Sequence, residues 1–132
     1  MRQYVELGFM RMNPDDITEI LSVQPTTAHK AGEERVPGAI WKYDSWALRS
    51  GVIESELDAA KHFSALFSIL GGRGASIREL AKRVDPVISW VVNVCADEQT
   101  PIGVIPCSVL AKIAEIGADL NVSMYFDSEN MS

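Results

Sequence analysis

The sequence predicts an α+β fold with a mixed or antiparallel sheet of four or five strands and helices on one face of it. Stretches in which apolar and polar residues alternate, as in strands, are interleaved with stretches whose apolar residues recur at helical spacing. The composition, 47% hydrophobic and 23% charged, is typical of a globular protein. A length of 132 residues matches one domain, so we assign residues 1–132 to a single domain.

The first strand and helix are predicted from alternation followed by capping residues. Residues 4–12 alternate between apolar and polar or small side chains, the pattern of a half-buried strand. Asn13 can cap a helix that starts at Pro14, because its side chain accepts a backbone N–H and proline suits the first helical position. Pro25 ends this helix.

The second strand is predicted over residues 39–46, with Trp41 and Tyr43 on one face. The first helix must bury its apolar stripe against such a face. We therefore favour Trp41 as a core residue over Trp41 as part of a binding groove.

Two helices are predicted in the middle of the chain. The first opens at residues 55–58 and has an apolar face at helical spacing, formed by Leu57, Ala60, Phe63, Phe67 and Leu70. The glycine-rich residues 71–74 end it, and a capping box from Ser76 to Glu79 predicts the start of the second. Residues 71–74 lack the Lys-Ser/Thr of a phosphate-binding loop and follow a helix, so we interpret them as a turn.

The last third predicts a strand, a helix and a strand. Residues 87–95 are β-branched and nearly continuously apolar, which indicates a central strand. A helix follows Pro106 and ends at Gly117, and residues 120–126 alternate again. Both outer thirds therefore read as βαβ units, which suggests ferredoxin-like split halves with a helical insertion.

Charge and cysteine content limit the partners and the compartment. The net charge is −6 and the basic residues are scattered, so we expect no nucleic-acid partner. No apolar run reaches the roughly 18 residues of a membrane span, and the start lacks a signal-peptide pattern. Cys95 and Cys107 lack paired spacing and predict reduced thiols, Cys95 buried and Cys107 in a first helical turn. We therefore expect a cytoplasmic protein without a membrane partner.

The order of several short motifs resembles a known family. These are Asn13-Pro14-Asp15-Asp16-Ile17, Pro25-Thr26, Lys30-Ala31-Gly32-Glu33, Trp41 and the closing IAEIGADLNVSMYF. Together they resemble the bacterial domain-of-unknown-function 4279 family (DUF4279) over nearly the whole chain. The resemblance implies a small bacterial cytoplasmic protein of α+β architecture and supplies no catalytic residues.

Residues 26–46 form the candidate binding segment. The connection before the second strand exceeds the usual length of about 2–6 residues, and such long connections are often functional. Cationic side chains there suit an anionic group, and aromatic ones offer flat faces to a ligand or partner. The candidate residues are Lys30, Glu33, Arg35, Trp41 and Tyr43. In the favoured alternative Trp41 is a core residue and the charged side chains are only solvated.

Catalytic and metal sites are not predicted. His29 and His62 are the only histidines that could act as bases, and we expect His62 on the exposed flank of its helix. Nothing in the sequence brings His29 close to Cys107, and no His or Cys spacing suits a metal. We therefore predict no catalytic residue, no metal ligand and no cofactor.

Two functions from different classes remain open. The first is a non-catalytic protein-interaction module, with immunity to a toxin as one form, whose acidic surface attracts a basic protein partner. The alternative is a small-ligand sensor or weak enzyme with a pocket near residues 26–46. A two-fold homodimer through the uncovered sheet face is also expected.

Overall fold

A computed structural model describes residues 2–83, 87–96 and 104–126, with the side chains of residues 95, 96, 125 and 126 left aside. The strands are β1 (Arg2–Met10), β2 (Thr27–His29), β3 (Glu34–Val36), β4 (Ala39–Ile40), β5 (Ser45–Arg49), β6 (Val87–Ala96) and β7 (Asp119–Phe126). The helices are α1 (Pro14–Leu21), α2 (Ala59–Leu70), α3 (Gly74–Ala81) and α4 (Cys107–Ile116). The predicted side-chain burial of Cys95 lies outside what is described.

Five strands form one mixed sheet in the order β2-β5-β1-β6-β7. Only β6 and β7 pair in parallel, and the other neighbours are antiparallel. Strands β3 and β4 pair separately as a two-stranded sheet. The predicted α+β class with a mixed sheet is confirmed.

The helices cover one face of the main sheet. Alternate residues of β1, namely Val5, Leu7 and Phe9, are buried, and the register places Leu7 beside Leu48 and Trp90. The core joins these strand residues to helix residues, including Ile17, Leu21, Phe63, Leu66, Ile77, Leu80, Val109 and Ile113. On the other face the Arg49 guanidinium lies 4.0 Å over the Tyr4 ring and 3.4 Å from Glu6 Oε2. That face is polar and partly exposed.

The capping residues of α1 and α4 act as predicted. The Asn13 side chain accepts the N–H of Asp15 at 3.0 Å, and Pro14 is the first residue of α1. Such a cap stabilises a helix by about 1 kcal/mol. Gly117 ends α4 in the left-handed conformation, with φ of 85°, and its N–H bonds Ile113 O.

The first predicted βαβ unit is wrong. Strand β5 lies directly beside β1 and runs antiparallel to it, whereas a βαβ crossover would make the two strands parallel. Between α1 and β5 the chain forms β2 and the β3–β4 hairpin, which reverse its direction. Only β6-α4-β7 is a parallel βαβ unit, so the ferredoxin-like arrangement does not form.

The predicted second strand is also wrong, and with it the core position of Trp41. Strand β4 ends at Ile40, residues 41–44 bend, and β5 begins at Ser45. Trp41 is only partly buried, whereas Trp46 is 1% exposed and lies in the core. The bend separates the two tryptophans into different elements, so one alternating pattern does not connect them.

Two details of the middle helices differ from expectation. Helix α2 begins at Ala59, because Asp58 caps it through the N–H of Ala60 at 3.0 Å. Helix α3 begins at Gly74, so the predicted capping box from Ser76 to Glu79 lies inside the helix. In the described ranges, no helix combines the length and apolarity needed to cross a membrane.

Candidate functional site

Residues 30–44, here called the arm, carry the β3–β4 hairpin. Pro37 and Gly38 form its turn, and Gly38 adopts a φ of 86°, which favours glycine at the third position of a type II turn. At the base, the N–H of Gly32 bonds Trp41 O and the N–H of Trp41 bonds Glu33 O, each at 2.9 Å. Every residue from 31 to 40 is exposed. The arm therefore holds its shape through backbone hydrogen bonds rather than through burial.

Asp44 and Lys30 fix the base of the arm to the main body. Asp44 Oδ1 accepts the N–H of Ala31 at 2.8 Å, and its carbonyl oxygen accepts the N–H of Arg11 at 2.9 Å. Lys30 Nζ lies 2.7 Å from Asp15 Oδ2 at the start of α1. Its hydrogen bond to Asp15, followed by the charge of Asp15, raises the pKa of Lys30 above the ordinary 10.5. The charged Lys30 therefore stabilises the folded state fully at pH values below its unfolded-state pKa. This contribution is lost only as the pH rises through the raised pKa of the folded state.

Trp41 contacts two neighbours on the arm and its base. The His29 ring stacks on it with centroids 3.9 Å apart and planes 15° apart. The guanidinium carbon of Arg35 lies 5.1 Å from the centre of the indole. An aromatic ring held between polar side chains at a partly exposed position resembles a recognition surface more than a core anchor.

A cleft of 260 Å³ opens between the arm and the end of β1. Its lining, which we call the arm cleft, consists of Met10, Arg35, Ile40, Trp41, Lys42, Tyr43 and Ser45. The exposed fractions are 62% for Ile40, 46% for Tyr43 and 41% for Met10, so apolar and aromatic surface faces solvent. The charged lining residues are both cations. The arm cleft thus combines aromatic faces, an apolar floor and a positive rim.

Arg11 adds a third cation beside the arm cleft. Its guanidinium carbon lies 5.1 Å from the centre of the Tyr43 ring. Arg11 has a positive φ of 65°, a conformation that costs a non-glycine residue about 1–2 kcal/mol. Backbone strain of this kind often occurs at functional positions. Here it directs a cation over an exposed aromatic ring.

The candidate binding residues fall into two groups. Arg35, Trp41 and Tyr43 lie together around the arm cleft. Lys30 and Glu33 lie at the base of the arm, where Glu33 Oε1 accepts the N–H of Lys30 at 3.2 Å. The sequence interpretation missed Met10, Arg11 and Ile40. Of these three residues, only Arg11 had a signal in the sequence: it directly follows the first strand, and the loops that follow strands often carry site residues.

His62 is the clearest correction among the candidate chemical groups. It is completely buried, not on an exposed flank as expected. Its Nδ1 lies 2.9 Å from Ser50 Oγ and its Nε2 lies 2.7 Å from Glu56 O. Because a carbonyl oxygen can only accept, Nε2 carries a proton and donates to Glu56 O; in the tautomer with its one proton on Nε2, Nδ1 accepts from the Ser50 hydroxyl.

A serine beside an imidazole can act as a nucleophile, but here the geometry favours a structural role. Ser50 is 5% exposed, so its hydroxyl faces the protein interior. Gln3, also buried, adds a backbone bond from its N–H to Glu54 O at 2.8 Å. Ser50, His62 and Gln3 therefore fasten the connection between β5 and α2 to the sheet.

The chain belongs to the DUF4279 family, a domain of unknown function, whose family model matches residues 2–127. Neither a curated protein nor a solved structure matches the chain.

Proposed function

We propose that this DUF4279 chain is a non-catalytic protein-interaction module that binds its partner at the arm cleft. The observation that carries the proposal is the grouping of Trp41, Tyr43 and Arg35, partly or fully exposed, on one arm. Tryptophan, tyrosine and arginine are the residues most enriched at the energetic centres of protein interfaces. Their fixed positions on a hydrogen-bonded arm reduce the entropy lost on binding.

The size of the arm cleft supports a protein rather than an enclosed small ligand. Small-molecule pockets usually measure about 300–1,000 Å³ and bury most of the ligand surface. At 260 Å³ the arm cleft falls below that range. It suits one large apolar side chain of a partner, with Ile40 and the neighbouring Val36, 55% exposed, contributing apolar surface around it.

The local charge supports an acidic segment next to that apolar anchor. Within the described ranges, none of Arg11, Arg35 and Lys42 forms an ion pair. The net charge of −6 would favour a basic partner at long range. Because physiological salt screens charges beyond about 8 Å, the contact itself depends mainly on the charged residues that line the arm cleft, Arg35 and Lys42, and both are cations. An acidic partner segment therefore matches the arm cleft best.

Site-specific photocross-linking in the native cell tests this proposal. A benzophenone amino acid replaces Ile40 in one variant and Ile53, which is 73% exposed outside the arm, in the matched control. We expect one discrete adduct with another protein from position 40 and none from position 53. The same adducts from both positions, or none from position 40, would contradict the proposal. An adduct with a second copy would assign the arm cleft to the expected homodimer, which light scattering on the purified chain checks independently.

Replacing Arg11 by glycine separates binding from stability. The substitution relieves the positive-φ strain, which is worth about 1–2 kcal/mol. It also loses the cation–π contact and adds the flexibility of glycine, and each of these two losses costs about 0.5–1 kcal/mol. The free energy of unfolding should therefore change by less than about 1 kcal/mol. We expect the adduct from position 40 to decrease severalfold at an unchanged urea midpoint. Lys82→Gln, the same loss of charge directly after α3 and outside the arm cleft, serves as the control. Unchanged adduct yield in R11G would remove Arg11 from the binding surface.

A small-ligand sensor remains the second candidate, because six of the seven residues that line the arm cleft belong to the segment 26–46, where a pocket was predicted. If the protein is such a sensor, its ligand should raise the melting temperature, and Trp41→Ala should abolish that increase. We also propose a cytoplasmic location. The free, exposed thiol of Cys107 supports a reducing compartment.

A further inference from the structure

A second cleft, of 320 Å³, lies between the α2–α3 turn and α4. We call it the helical cleft. Its lining includes the apolar residues Phe67, Leu70, Ile77 and Ile116 and the cations Arg78 and Lys112. Its volume falls at the lower end of the range of about 300–1,000 Å³ that small-molecule sites occupy. The helical cleft is therefore large enough for a compact metabolite.

Two cations, Lys112 and Arg78, line the helical cleft. Lys112 Nζ lies 5.0 Å over the Phe67 ring, and Arg78 Nη1 donates to the backbone carbonyl of Glu115 at 3.2 Å. Neither forms an ion pair with any residue that the structure describes. Glu115 is the one acid in the lining. Two positive charges and one negative charge leave the lining with a net charge of +1, which on a chain of net charge −6 favours an anionic ligand.

The backbone of the turn offers N–H groups and open space to a ligand. Helix α3 starts at Gly74 without any side-chain cap, so its first N–H groups lack side-chain acceptors. Gly72 has open space where a side chain would start, so a ligand can approach the main chain there. Helices α2 and α4 end at the same cleft, at Leu70 and Ile116, and their negative ends offset the positive end of α3. The preference for an anion therefore comes from the two side-chain cations.

The floor of the helical cleft is apolar. Leu70, Ile77 and Ile116 are at most 6% exposed, and Phe67 forms part of the wall. Because Phe67 is partly exposed, an inorganic anion alone would leave its ring in contact with water. A ligand with an anionic head and a ring or short aliphatic body would satisfy both parts of the site.

We propose that the helical cleft binds a small organic anion, a carboxylate or phosphate monoester with an apolar body. Lys112 and Arg78 contact the anionic head, and the body lies on Phe67 and the apolar floor. This site is separate from the arm cleft and does not depend on the proposed protein partner.

Nuclear magnetic resonance titrations that follow the amide chemical shifts of the ¹⁵N-labelled chain test the proposal. The probes are phenyl phosphate, benzoate, inorganic phosphate and the neutral benzyl alcohol. We expect phenyl phosphate or benzoate to shift the amides of Gly71, Gly72 and Gly74 in a saturable way. Benzyl alcohol and inorganic phosphate should bind at least fivefold more weakly, because each lacks one half of the required chemistry. Equal affinity for phenyl phosphate and benzyl alcohol, or saturable shifts outside the helical cleft only, would overturn it.

Two pairs of variants locate the site. Lys112→Gln on α4 should weaken the affinity for the better probe at least fivefold. Lys61→Gln, the same loss of charge on α2 outside the helical cleft, should leave that affinity within twofold. Ala75→Glu places a carboxylate in the helical cleft and should abolish binding, while Ala75→Gln, of the same size, should retain it. Because Ala75 is exposed on α3, both variants should fold. Wild-type affinity in both K112Q and A75E would overturn the proposal.

Discussion

Replacing Trp46 by alanine is expected to lower the free energy of unfolding by about 3–5 kcal/mol. The indole is 1% exposed, its ring meets Phe9 edge-on at 5.4 Å, and its Nε1 donates to Thr18 Oγ1 at 3.0 Å. The substitution therefore leaves a large cavity and removes a hydrogen bond that joins β5 to α1. Since a domain of this size has about 5–15 kcal/mol in total, the variant should melt far earlier or fail to accumulate.

Trp41→Ala is the matched control for this prediction. The same chemical change at a partly buried position on the arm should cost about 1 kcal/mol, as substitutions outside the core usually do. Urea unfolding followed by circular dichroism measures both variants. Equal losses at the two positions would contradict the assignment of Trp46 to the core and Trp41 to the arm.

Replacing His62 by leucine is expected to cost about 2–4 kcal/mol, the second large effect. Leucine fills most of the space but leaves the Ser50 hydroxyl and the Glu56 carbonyl without their imidazole partner, and each buried unpaired group costs about 1–3 kcal/mol. The Ser50 hydroxyl oxygen still accepts the N–H of Val52 at 3.3 Å, which limits the loss. His29→Leu, at the partly exposed histidine under Trp41, should cost less than about 1 kcal/mol.

A double-mutant cycle with Ser50→Ala tests whether the two side chains act together. Because removing either one orphans the other, the S50A/H62L double variant should lose at least about 1 kcal/mol less than the sum of the single losses. Strictly additive losses would show that the 2.9 Å contact between Ser50 Oγ and His62 Nδ1 contributes nothing of its own.

His62 illustrates where sequence reasoning stops. A histidine in an amphipathic helix is usually exposed, and the predicted apolar face of α2 omitted Ala59 and Leu66, the buried residues that share a face with His62. Its burial depends on Ser50, supplied by the end of β5, and on the Glu56 carbonyl, supplied by the connection before α2. Neither partner can be identified until the connection is folded against the helix.

The two tryptophans show the same limit for strands. Alternation over residues 39–46 is equally compatible with burial of Trp41 or of Trp46, because a single bend moves the whole pattern to the other face. The choice is made by pairing with β1, which sets Phe9 opposite Trp46. Trp41 is left on a hairpin that pairs only with itself.

By itself the sequence determined the α+β class through local periodicity, the caps of α1 and α4 through capping chemistry, and the family through the order of its motifs. It also indicated the segment that supplies most of the arm cleft, through the length and composition of that connection. The tertiary structure decided that β5 runs antiparallel beside β1, that His62 is buried, and that Met10 and Arg11 join Trp41 and Tyr43 around one cleft. Those features depend on contacts between residues distant in the chain. Such contacts stabilise the protein only after the distant segments have packed together in the fold.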